Sequence, residues 1–271
     1  MLLNVITLAL LGSLVGASAI PKNPPRHVFG ASYLKSRAAG AQAVDQLLQI
    51  APKSKSCDGA SFKDECRTAA EAAPFLIKAM ADYQITVPNE IAAVLALIAL
   101  ESGEFQYNTN HFPEPGRPGQ GTRNMQMPDF NLAYAKSIPA LKEPLEKITT
   151  ADTTAGMSPD QLNAIRALVL PDEYSWGSAA WFLTTKCASS RSAIQAGGDA
   201  GLKAYAACVG VEVDADRTKY YNQAQSAFGL KPYNLHPVLP PLYESHPVFL
   251  WLPLESRVGH GPVGVIGAFQ C

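Results

Sequence analysis

Apolar positions recur at helical spacing along most of this chain. The clearest run is 88–102 (PNEIAAVLALIALES), where Ile91, Val94, Leu95 and Ile98 alternate with alanines, so that a helix there is apolar nearly all round. A helix of that kind belongs in the middle of a domain, covered on every side. Pro88 suits its first turn, where a missing N–H is no loss, and Glu90 complements the positive end of the helix dipole. Gly103 follows as a stop.

The same spacing predicts helices over 41–50, 62–84, 129–137, 158–169, 175–187, 199–208 and 216–228. Pro74 falls inside the second of these, which predicts a break or kink. Ser158-Pro159-Asp160-Gln161 reads as a capping box with proline in the first turn. Residues 103–128 change character: Asn, Gly, Pro and Gln replace the aliphatics, which predicts a loop or a small sheet. The expected fold class is therefore mainly α. From Lys231 onward the pattern shifts again, with seven prolines and only four charged side chains in 41 residues. That stretch reads as a tail packed across the domain, a flexible extension, or a translated intron or frameshift.

At the other end, residues 5–16 (VITLALLGSLVG) are uncharged and apolar, and Ala17-Ser18-Ala19 follows in the small-x-small pattern cut by signal peptidase. The run is short for a membrane span, and nothing later reaches the required ~20 apolar residues. The expected layout is a signal peptide at 1–19, one domain at 20–230 and a Pro-rich extension at 231–271. The mature chain is then secreted, without a membrane anchor. A net charge of −1 gives no reason to expect nucleic acid as a partner.

Five cysteines suit an oxidised, secreted chain. Spacing suggests Cys57 with Cys66 around a short loop and Cys187 with Cys208 between successive helices, leaving Cys271 over, although sequence alone does not fix connectivity. No CxxC pair and no histidine at ligand spacing supports a metal site, and His236, His246 and His260 read as loop histidines. GxSxG is absent, which sets a serine hydrolase aside.

Glu101 carries the candidate chemistry. It continues the stripe of Val94 and Ile98 at the point where the apolar helix meets the polar loop. Burial there would disfavour the charged carboxylate, and the negative helix end pushes the same way, which suits a general acid. A helix-terminal Glu pointing into water fits the residues equally well.

The segment that follows, 101–128 (ESGEFQYNTNHFPEPGRPGQGTRNMQMP), resembles the active-site segment of the lysozyme-like superfamily, most closely goose-type lysozymes and soluble lytic transglycosylases. The matching pieces are Glu101-Ser102-Gly103 with Phe105, and Gly121 leading to Met125-Gln126-Met127-Pro128, after a longer approach than usual through Thr122-Arg123-Asn124. The likeness spans about fifty residues, 88–135. Ser178-Ala179-Ala180-Trp181-Phe182, and Arg217 with Tyr220-Tyr221, are similar to phrases of plant-type chitinases, and read as core aromatics that support the fold. Tyr134 also reads as core.

The resemblance implies an α+β lysozyme-like domain with a small β-hairpin lining a cleft. It implies Glu101 as the catalytic acid, with Ser102, Asn108, Gln120, Met125 and Gln126 binding substrate and Asp129 or Glu114 as a possible second carboxylate. The implied activity is glycoside hydrolysis (muramidase or chitinase) or lytic transglycosylation, on peptidoglycan or chitin, by a monomer needing no cofactor. A catalytically silent glycan-binding or effector protein on the same scaffold is the alternative.

Overall fold

A computed structural model of the chain describes residues 40–231. The expected signal peptide (1–19) and the Pro-rich extension beyond Lys231 lie outside those residues, as do Cys271, His236, His246 and His260.

The described residues are mainly helical. In chain order come α1 (40–50), α2 (Ala69–Asp82), α3 (Pro88–Glu101), α4 (Pro128–Ser137), α5 (Lys142–Glu146) and α6 (Pro159–Val169). After them come α7 (Asp172–Ser175), α8 (Ser178–Thr185), α9 (Arg191–Ala196), α10 (Gly198–Val209) and α11 (Ala215–Ala227). Among the described residues no helix is long and apolar enough to cross a membrane.

The all-round apolar helix sits where its sequence demands. α3 packs against α8, α9 and α11, and Ala92, Val94, Ile98 and Ala99 are fully buried. Each large aliphatic so buried contributes about 1.5–3 kcal/mol. Glu90 does more than face the dipole. It is fully buried, and its carboxylate accepts from Arg191 Nε at 2.6 Å, Arg191 Nη2 at 3.0 Å and Gln195 Nε2 at 3.0 Å. An acid taken out of water is tolerable when its lone pairs are filled in this way.

Three expected boundaries differ, each for a local reason. The helix expected from 62 starts at Ala69, because Cys57 and Cys66 close a disulfide loop and Thr68 then caps α2 reciprocally with Glu71. Pro74 lies in the second turn of α2 without ending it. The helix expected over 175–187 starts at Ser178, as α8, because the chain breaks at Trp176-Gly177 after the short α7. A Cβ on Gly177 would stand 2.9 Å from the Tyr134 hydroxyl, which donates to Tyr174 O at 2.8 Å across that break.

The small sheet expected over 103–128 is reduced to two isolated bridges, Thr109 with Gly121 and Gly121 with Gln126. Side chains, not a ladder, hold this segment. Its entry is a left-handed turn of three successive residues, Gly103, Glu104 and Phe105, at φ 58°, 62° and 74°. Only the glycine adopts that region without cost.

Cys187 and Cys208 form the second disulfide, which joins the chain just after α8 to α10 over 21 residues. Closing a loop of that length constrains the unfolded chain by about 3 kcal/mol. Replacing both cysteines by serine is therefore expected to lower the unfolding free energy by roughly that amount, read by urea denaturation. A loss below about 1 kcal/mol would show that the packing of α8 against the following helices already supplies the constraint.

Candidate functional site

Glu101 is the last residue of α3, and its side chain keeps 8% of its exposure. Burial pushes its carboxyl up to about 8, against the opposing pull of Arg217, while Asp214 adds to the rise. The group therefore holds its proton at neutral pH. Arg217 Nη1 lies 3.5 Å from Glu101 Oε1. The helix end beneath is closed by Ser102, fully buried, whose hydroxyl donates to Ile98 O at 2.6 Å and accepts from Phe105 N at 2.9 Å.

α11 supplies the other half of the site. Asp214 caps it by accepting from Arg217 N, which fixes the first turn against α3. One turn on, the Tyr220 hydroxyl donates to Glu104 Oε1 at 2.8 Å, and Lys53 N donates to Glu104 Oε2 at 2.7 Å. The Arg217–Tyr220–Tyr221 phrase thus reaches Glu101, which ends the buried helix, and Glu104, which follows it. From sequence it was readable as a fold signal, not as a site.

Beside Arg217, the neighbour of Glu101, runs a narrow apolar slot that Glu101 itself does not line. One part, of about 30 Å³, is walled by residues of α3 and α10 such as Leu97, Leu100, Leu202 and Val209, with Tyr205, Tyr221 and Arg217 as its polar members. A second part, of about 20 Å³, shares Leu97 and Val209 and continues past Met125, Met127, Phe130 and Phe182. Each holds no more than a water or two as it stands. The Tyr205 hydroxyl is buried without a hydrogen-bond partner, and burial followed by the nearby Glu101 pushes it well above the ordinary phenol range. Tyr205 carried no sequence signal beyond its place on an apolar helix face.

The residues expected to bind substrate mostly hold the loop together. Gln120, nearly buried, donates to Met125 O at 2.9 Å. Gln126 Nε2 donates to Asn131 Oδ1 at 2.8 Å, and Asn131 in turn donates to Gly119 O at 2.8 Å. Asn108 donates its backbone N–H to Glu65 Oε2 at 2.9 Å. Met125 and Gln126 do line the slot. Asp129 does not cap α4, whose N-cap is Met127; its carboxylate instead accepts from Thr154 N and Oγ1 at 2.9 and 2.6 Å. Glu114 is exposed and lines a different pocket, with Phe62 and His111. No separate carboxylate from the loop is thus brought beside Glu101 by these contacts.

Arg123, in the longer approach to Met125, carries no site signal in the sequence. It is fully buried, and its guanidinium lies 4.3 Å from the Trp176 ring centre. It donates to Phe105 O at 3.0 Å, Tyr107 O at 3.1 Å and Glu65 O at 2.7 Å. Asp172 lies 3.5 Å from it and also takes Arg67 at 2.6 Å and Trp176 Nε1 at 2.9 Å. Burial lowers the guanidinium to about 10, so it stays charged at neutral pH. Among the described residues no group of three His, Cys, Asp or Glu side chains could hold a metal ion.

The sequence matches no family model, and no solved structure gives a significant match. It is 44% identical, over 176 residues or 64% of this chain, to a protein of Fusarium oxysporum (strain Fo5176) named bifunctional dioxygenase (DOX)-epoxy alcohol synthase (EAS). The match spans 13% of that relative's length.

This relative corrects the activity implied by the resemblance. A dioxygenase-epoxy alcohol synthase is neither a glycoside hydrolase nor a transglycosylase, and its name carries no peptidoglycan, chitin or other polysaccharide partner. The physical reason the motifs misled is visible in the loop. Ser102, Gln120 and Gln126 make hydrogen bonds that any loop returning from α3 to α4 would need.

Proposed function

We propose that this domain binds an oxygenated apolar molecule, of the epoxy-alcohol class in the relative's name, with its chain along the α3–α10 slot. In this reading the Tyr205 hydroxyl and the Glu101 carboxyl serve the ligand's oxygens. The helices follow a lysozyme-like plan turned to that use, in a secreted chain. The observation that carries the reading is an apolar slot lined by a buried phenol without a partner and by Arg217, with the Glu101 carboxyl, protonated to about 8, 3.5 Å behind that arginine.

The chemistry follows from the groups. A protonated carboxyl donates a hydrogen bond to an epoxide or hydroxyl oxygen without bringing a charge into an apolar place. Leu97, Leu100, Leu202 and Val209 suit a narrow, unbranched body; because the slot as it stands holds only a water or two, the chain enters by pushing its walls apart, and Met125 and Met127 are side chains that can give way. The match covers a small part of the relative, so the role proposed is ligand binding and proton holding, with the oxygen chemistry itself carried elsewhere.

Titration of the full chain with a straight-chain epoxy alcohol tests this, by calorimetry at pH 6 and pH 9.5. Binding is expected at pH 6 and to weaken about thirtyfold at pH 9.5, as Glu101 loses its proton. Glu101→Gln keeps a donor that cannot ionise, and should bind equally at both pH values. Equal affinity for the parent hydrocarbon, or no saturable binding, sinks the reading.

A further inference from the structure

A second pocket, of about 670 Å³, opens on the loop between α3 and α4 and is lined by Ser61, Phe62, His111, Phe112, Glu114 and Pro115. Its walls are unusual for this molecule. The large apolar side chains most exposed among the described residues are Phe62 at 38%, Ile77 at 48% and Phe112 at 58%, and two of the three stand here. His111 stacks flat on Phe62, with ring centres 3.6 Å apart and planes within 7°. Tyr107 joins edge-on to both Phe62 and Phe112, each at 6.0 Å. Four rings thus form one aromatic surface on a loop tied down by Arg123 and by the Cys57–Cys66 bridge.

The charge of the pocket comes from Glu114. Glu65 also lies close, but its carboxylate is occupied: Oε2 accepts from Asn108 N at 2.9 Å and Thr109 N at 3.2 Å, and Oε1 takes His111 Nε2 at 2.7 Å. Any charge on His111 is matched by that partner. Glu114 is exposed, on the rim among the rings.

We infer that this pocket is a site for a small, fully alkylated ammonium ion carried by a free molecule such as choline. An anion would be repelled by Glu114. A neutral apolar occupant would cover that carboxylate without giving it a partner, which is costly. A primary ammonium has three N–H groups to satisfy, and a rim of phenylalanine rings accepts none of them well. A quaternary ammonium has no N–H groups, presents methyl groups to ring faces and is attracted both by the ring quadrupoles and by the carboxylate.

The test is an NMR titration of the full chain, following the His111 and Tyr107 rings. Choline is compared with 3,3-dimethylbutan-1-ol, the same shape without the charge. Choline is expected to shift both rings saturably and to bind about fivefold more tightly than the neutral isostere. Glu114→Gln, a change at an exposed position, should narrow the preference for choline to what the rings alone supply, and Phe112→Leu should weaken choline. No saturable shift with choline, equal binding of the isostere to the unmodified protein, or an unchanged preference in Glu114→Gln overturns the inference.

Discussion

Glu101→Gln is expected to make the protein more stable above pH 8 while changing little at pH 4. The native carboxyl keeps its proton up to about 8 because burial disfavours the charge, whereas an unfolded glutamate releases it near 4.3–4.5. Between those values the folded chain binds more protons than the unfolded one, so the stability contributed by the neutral form is lost as pH rises through the window. At up to about 1.4 kcal/mol per pH unit, the variant's gain relative to the native protein reaches on the order of 4 kcal/mol by pH 8.5. Other titrating groups are common to both proteins and cancel in the difference. Urea unfolding at pH 4 and pH 8.5 measures it. A difference that does not move with pH would show Glu101 to be an ordinary solvated carboxylate.

Arg123→Met should have the next largest effect, and should strike the loop before the core. Methionine keeps much of the volume against Trp176 but leaves the carbonyls of Glu65 and Tyr107 without their donor, Phe105 O with Arg67 N alone, and Asp172 with one of its two arginines. Losing one partner of a buried charge network costs about 3–5 kcal/mol. Lysine at 123 should recover only part of this, since a single ammonium cannot reproduce the fork that spans three carbonyls. Hydrogen exchange in 103–127 should rise in the methionine variant even where global unfolding is slow. A loss below about 1 kcal/mol in urea would mean that the backbone of this segment holds without Arg123.

The helices were legible to different degrees. α3 announced itself, because an apolar surface on all sides has one place to go. The α6 capping box was equally readable, since Ser158 and Gln161 exchange hydrogen bonds within one turn of chain. The break at Gly177 was not readable, because its cause, the Tyr134 hydroxyl, comes from 43 residues earlier in the sequence. The position of Glu101 at the end of a buried helix could be anticipated, whereas Tyr205 and Val209 could not be placed beside it. Short phrases proved the weaker guide. Glu101-Ser102-Gly103 and Met125-Gln126-Met127-Pro128 point to a polar loop after a buried helix, and their hydrogen-bonding residues are spent on that loop, which leaves the chemistry to be argued from the slot.

The docking of α11 on α3 also gives this site an order of assembly. Glu101 is synthesised more than a hundred residues before Arg217. Until Ala215–Ala227 has emerged from the ribosome and folded back, neither Arg217 nor Asp214 acts on the carboxyl, and the packing that this helix makes against α3 is missing. The surroundings of this acid are therefore completed late, when the chain's last described helix arrives.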